Sequence, residues 1–128
     1  MNHSFKPDGY NSVSPYLVVD GTATTIEFLK QVFGAELLRS FPGDNGRLMH
    51  AEVRLDDTVL MLADSIDDWP SQPAHVHVYV QNVDAVYRRA LDADALPVKE
   101  PEQGEDEDRR GGVKDAGGTT WWIATRVG

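Results

Sequence analysis

Ser12–Gly34 reads SVSPYLVVDGTATTIEFLKQVFG, and its two parts decide the fold. Ser12–Val19 is rich in β-formers and reads as a strand. Asp20 can cap a helix, and Gly21 loosens the entry to it. Ile26, Leu29 and Phe33 then recur at spacings of three, four and seven, with Phe28 and Val32 beside them. That is one apolar stripe on a helix. Gly34 is free to take the left-handed conformation that ends one. Working outward, Glu36–Phe41, Leu48–Leu55 and Thr58–Ala63 read as extended segments. Turn signals at Pro42-Gly43-Asp44-Asn45-Gly46 and at Asp56-Asp57 divide them. The order is β-α-β-β-β.

The second half repeats this plan. Ala74–Val80 reads as a strand, and Asn82 can cap a helix whose face is Val83, Val86, Tyr87, Ala90 and Leu91. Leu96–Lys99, Gly112–Asp115 and Thr119–Thr125 read as strands, and Glu100–Arg110 as a polar loop. Val18-Val19-Asp20 falls on Val80-Gln81-Asn82 at a shift of 62, and Arg47 falls on Arg109 at the same shift. The link Asp64–Pro73 reads as a loop, with Trp69 packed on the surface. A small sheet with a helix on one face must cover its other face, and two modules curling around a shared cavity do so.

The chain has 128 residues, so we expect a single domain over 1–128, with modules at about 12–64 and 74–125. Lys and Arg number 12 against 21 Asp and Glu, a formal charge of -9. So acidic a chain repels phosphate backbones and anionic lipid, and we expect neither nucleic acid nor membrane as a partner. The absence of cysteine excludes disulfides, thiolate metal sites and cysteine nucleophiles. The longest apolar run is only Val59–Ala63, and Met1–Gly9 lacks the pattern of a signal peptide. A cytoplasmic protein is the expectation.

Several segments resemble the vicinal oxygen chelate superfamily of glyoxalases, bleomycin-resistance proteins and extradiol dioxygenases, with the PhnB-like branch nearest. They are Pro15-Tyr16-Leu17-Val18-Val19-Asp20-Gly21, Phe33-Gly34-Ala35-Glu36, Met49-His50-Ala51-Glu52, and Asp115 with Gly118 and Trp121 before Ile123-Ala124-Thr125. The resemblance implies an α+β fold in which two βαβββ modules form a curved sheet around a cavity, and a homodimer. It also places the family's four metal-ligand positions at Val13, Met61, His75 and Trp122. Only His75 suits a hard or borderline cation, and one ligand does not hold such an ion against water. The expected function is therefore to bind a small organic molecule, cationic or aromatic, in a metal-free cavity. The departures from relatives are Asp106 and Glu107, where an aromatic and a glycine are usual, and Thr119 in place of a histidine.

A non-standard metal site is the alternative. His50 and Glu52 share one strand face, as do His75 and His77, because residues two apart in a strand point the same way. If the two strands face each other, three imidazoles and a carboxylate converge on Zn, Ni, Mn or Fe for lyase, isomerase or dioxygenase chemistry. Glu52 is then a candidate general base. Without a metal, His50 and His77 bond to neighbours, and Glu52 pairs with Arg54 or Arg47. Candidate ligand-binding residues are Trp122, His50, His75, His77, Met61 and Arg54. Trp121 reads as core, which turns Trp122 to the cavity, where it fills space or stacks on a flat ligand. The acidic run Glu100–Asp108 reads as a solvated loop, or as a flap attracting a cation.

Overall fold

The computed structural model describes residues 5–128. In chain order the first module has β1 (Tyr16–Val19), α1 (Thr22–Phe33), β2 (Glu36–Pro42), β3 (Leu48–Leu55) and β4 (Thr58–Asp64). The second has β5 (Ala74–Tyr79), α2 (Val83–Asp92), β6 (Leu96–Gln103), β7 (Asp108–Lys114) and β8 (Thr119–Arg126). Each module is a four-stranded mixed sheet, ordered β1-β4-β3-β2 in one and β5-β8-β7-β6 in the other. In each sheet the first strand runs parallel to the last, and the other neighbours are antiparallel.

Strand alternation fixes what each sheet face does. Leu17 and Val19 of β1, Ala51, Val53 and Leu55 of β3, and Leu60 and Leu62 of β4 are buried in one core with Ile26, Leu29 and Val32 of α1. Val113, Trp121 and Ile123 join the same core with Val83, Val86 and Ala90 of α2. The modules therefore meet through their helical layers. Phe33 packs on Trp121 with centroids 5.5 Å apart. Arg89 donates from Nε and Nη2 to Val32 O at 2.9 and 2.7 Å, meeting a carbonyl that the end of α1 leaves unpaired. Because the apolar faces are spent on this core, the polar strand faces point away from it.

Three boundaries differ from expectation. The first strand starts at Tyr16, not Ser12. Proline at 15 brings no N–H to a ladder, and the preceding residues leave the sheet; Asn11 Oδ1 accepts instead from Val59 N at 3.2 Å, on the part of β4 that β1 does not reach. The N-cap of α1 is Gly21, at φ 81, and Asp20 instead accepts the hydroxyls of Ser65 and Ser71. The Asp64 carboxylate does the capping from across the module, taking Thr22 N at 2.6 Å. Third, the acidic loop is mostly strand. β6 runs on to Gln103 and β7 begins at Asp108, which leaves only 104–107 as the turn. Ion pairing makes this tolerable: Lys99 pairs with Glu102 at 3.1 Å, and Arg110 with Asp108 at 2.8 Å. The Asn82 cap is as expected, accepting from Ala85 N at 3.1 Å. No helix among the described residues is long and apolar enough to cross a membrane.

Candidate functional site

The outward face of the second sheet carries His75, His77 and Tyr79 from β5, Trp122 from β8, and Asp108, Arg110 and Gly112 from β7. Trp122 Nε1 donates to His75 Nδ1 at 3.1 Å. The two ring planes differ by 8°, and their centroids lie 6.2 Å apart. An N–H lies in the plane of its indole, so a bond between near-parallel rings at this separation sets them side by side. Together they form one flat shelf. Its floor is Gly112, where a Cβ would come within 2.7 Å of Trp122 Cζ3 and 2.8 Å of Cε3. Only glycine lets the indole lie down across the neighbouring strand. A Gly112→Ala variant is expected to lift the ring, break its bond to His75, and shift tryptophan emission while the fold persists. Fluorescence and circular dichroism check this.

Beside the shelf stands a polar wall. Arg110 Nε donates to His77 Nε2 at 3.0 Å, and its Nη2 reaches Asp108 Oδ2 at 2.8 Å. Tyr79 donates to the same Asp108 oxygen at 2.7 Å. Because Nε2 accepts, the neutral His77 ring carries its proton on Nδ1, which is left as a donor. Burial, and then the Arg110 charge, hold the His77 imidazole below its ordinary value, against the pull of Asp108 and Asp106. A depressed imidazole is neutral in the folded chain, so its contribution to stability is complete above about 6.5 and is lost as pH falls through the native value. The melting temperature should accordingly drop on acidification from pH 7.5 to 5.5. His77→Gln should flatten that drop, and melting curves across this range test it.

The outward face of the first sheet is a chain of hydrogen bonds. Register places Tyr16, Met61, Glu52 and Arg39 as cross-strand neighbours, and His50 opposite Phe41. Tyr10 donates to Glu52 Oε1 at 2.5 Å, and His50 Nε2 lies 2.7 Å from Glu52 Oε2. Tyr16 Oη lies 2.8 Å from His50 Nδ1. Arg39 Nε sits 3.3 Å from Glu52 Oε1. Burial pushes the Glu52 carboxyl up, but the bonds from Tyr10 and His50 and the Arg39 charge outweigh it and leave it below its ordinary value. Glu52 is therefore an ionised acceptor at neutral pH. His50 Nε2 then donates to it, and its Nδ1 faces the Tyr16 hydroxyl. Trp69 packs on Tyr16 with centroids 5.4 Å apart.

The structure thus brings together His50 with Glu52, and His75 with Trp122, while His77 joins Arg110. The four alternative metal ligands are divided between two sheets that share no ladder. Among the described residues, no three His, Cys, Asp or Glu side chains are grouped so as to hold an ion. Glu52 pairs with Arg39 rather than with Arg54 or Arg47: Arg54 reaches Glu36 at 3.8 Å and Gly9 O at 3.2 Å, and Arg47 reaches Asp64 O at 3.3 Å. Met61 stands between Tyr16 and Glu52, half-buried. Val13 lies before β1 and is 81% exposed. Sequence reasoning missed Tyr10, Arg39, Arg110 and Gly112; the Gly111-Gly112 pair within a strand was the available signal for the last. At the junction of the modules, a groove of about 730 Å³ opens between Leu55, Asp56, Tyr79, Gln81 and Arg126.

Two such modules in this order are matched by a known family. The sequence model of the Glyoxalase/Bleomycin resistance protein/Dioxygenase superfamily fits residues 9–123. The chain belongs to this superfamily. The chain is also similar to an uncharacterized protein of Mycobacterium bovis, Mb0911c, 36% identical over 127 residues, covering 91% of this chain and 84% of that protein. Among solved structures, TioX from Micromonospora sp. ML1 aligns with a TM-score of 0.73 at 21% identity, over 90% of this chain and 95% of TioX. TnmS3, an antibiotic binding protein from Streptomyces sp. CB03234, aligns at 0.69 and 20% identity, over 91% of this chain and 99% of its own. A PhnB protein from Bacillus cereus aligns at 0.72 and 18% identity, over 90% and 99%. At these identities the superfamily scaffold is what is shared.

Proposed function

We propose that this superfamily member, of the PhnB-like branch, binds a flat aromatic molecule without a metal, stacked on the Trp122–His75 shelf. The observation that carries this reading is the side-by-side ring pair lying on Gly112. A built surface of that kind offers a planar ligand an area of contact that a lone exposed tryptophan does not. His77 Nδ1–H supplies an edge donor, and Arg110 is neutralised by Asp108. The acidic run next to the wall and the net charge of -9 favour a ligand that carries positive charge, which also suits the indole face. That TnmS3 is described as antibiotic binding is consistent with this use of the scaffold. In the proposed active form, a cytoplasmic homodimer, the outward face of a second copy closes over the shelf.

Elemental analysis and melting curves test this together. Chelator-treated protein should retain no ion after incubation with Zn²⁺, Ni²⁺, Mn²⁺ or Fe²⁺ and removal of excess. It should still melt higher with proflavine, a planar cationic acridine, because a native-state ligand stabilises by mass action. One tightly held ion per chain, lost in His75→Ala, would replace this reading with the metal-dependent alternative.

A further inference from the structure

Tyr10 is a phenol already seated in a site. It belongs to the segment before β1, outside any strand. Its hydroxyl donates to Glu52 Oε1 at 2.5 Å, and the Arg39 guanidinium lies 6.0 Å from its ring centroid. Glu52 is only 7% exposed, a buried charge aimed at that hydroxyl. The segment itself is held lightly. Arg54 Nη2 donates to Gly9 O at 3.2 Å, Val59 N to Asn11 Oδ1 at 3.2 Å, and Tyr10 N turns back to Pro7 O at 3.3 Å. The backbone bond that first ties it to the sheet, from Met61 N to Pro15 O at 2.9 Å, comes five residues after Tyr10.

The surroundings select the chemistry of the occupant. Glu52 is an ionised acceptor, so the hydroxyl must arrive with its proton, and a carboxylate would be repelled. Arg39 already offsets the charge of Glu52, so a cation gains little there and meets Arg39. An aliphatic alcohol would satisfy Glu52 but leave the place beside Arg39 without a ring, forfeiting the cation–π contact. A neutral hydroxyaromatic meets every condition, as Tyr10 itself demonstrates.

We propose that the outward face of the first sheet holds a binding subsite for neutral phenols, in which Glu52 takes the hydroxyl and Arg39 covers the ring, and that Tyr10 is its built-in occupant, displaced when a free phenol binds. This subsite lies on a different sheet from the Trp122 shelf and does not rest on it.

Titration calorimetry with 2-naphthol and with 2-methoxynaphthalene, which lacks the donor, tests the proposal. Removing the occupant in Tyr10→Ala should tighten 2-naphthol binding by about tenfold over the unaltered chain, as for a site filled nine-tenths of the time. The gain should persist in Trp122→Ala, so failure of the shelf and failure of this subsite are separable. It should vanish in Tyr10→Ala with Glu52→Gln, and 2-methoxynaphthalene should bind Tyr10→Ala at least tenfold more weakly than 2-naphthol. Equal affinity of the unaltered and Tyr10→Ala chains for 2-naphthol, or no binding to either, would overturn the proposal. So would 2-methoxynaphthalene matching 2-naphthol in Tyr10→Ala, a comparison that requires no change at Glu52 and holds if Glu52→Gln does not fold.

Discussion

Asp115→Ala is expected to cost about 3–5 kcal/mol, the largest stability loss of any single polar substitution in the second module. Asp115 is 6% exposed and closes the turn between β7 and β8. Its Oδ1 accepts from Gly117 N at 2.9 Å and Thr119 N at 3.1 Å, and its Oδ2 from Trp121 Nε1 at 2.8 Å. Trp121 is wholly buried, so its indole N–H has no water to turn to. Alanine would strand all three donors, and an unmet buried donor costs about 1–3 kcal/mol. The three share one carboxylate, so their losses do not simply add. For a domain of this size the melting temperature should fall by roughly 10–25 °C. Asp115→Asn keeps the acceptor oxygen that serves the turn and should cost less. Equal melting of Asp115→Ala and the unaltered chain would show that the bonds to the turn and to Trp121 do not hold this end of the sheet.

Trp122→Ala is the second large effect, and it falls on binding rather than stability. The ring rests on Gly112, is half-buried and lies outside the core cluster, so its removal takes away shelf area without opening the core. Stacking of a flat ring on an aromatic side chain is worth about 1–3 kcal/mol by alanine substitution. Affinity for proflavine should therefore drop about 10- to 100-fold, with melting little changed in the absence of ligand. His75→Ala should give a smaller loss, since the imidazole extends the shelf and orients the indole through its Nδ1. The two substitutions should not be additive, because the rings act as one surface. Titration calorimetry on the two single variants and the double variant checks both statements.

How far the residues foretold these sites depends on how local each signal is. The apolar stripe Ile26–Leu29–Phe33 and its counterpart Val83–Val86–Ala90 are patterns within single helices, and all of these residues are buried except Phe33, which is partly buried against the core. Placing Trp122 on the outward face needed only strand alternation from Trp121, which the core claims. The acidic run misled because charge alone says nothing about pairing. Asp108 is 4% exposed and held by Tyr79 and Arg110, so a residue read as loop is a buried part of a strand. The bond from Tyr10 to Glu52 spans 42 residues and leaves no periodic trace. Nor does Gly112 beneath Trp122, whose contact is set by sheet register between β7 and β8. The superfamily was legible from short segments; which side chains meet across strands was not.

The most direct measurement is calorimetric titration of proflavine into chelator-treated protein, repeated with each of Zn²⁺, Ni²⁺, Mn²⁺ and Fe²⁺ restored and in Trp122→Ala. A metal-free shelf predicts saturable binding at one site per chain, unaltered by any of the four metals and weakened at least tenfold in Trp122→Ala. Binding that appears only after a metal is restored, that is lost in His50→Ala or His75→Ala, and that is indifferent to Trp122, would contradict it.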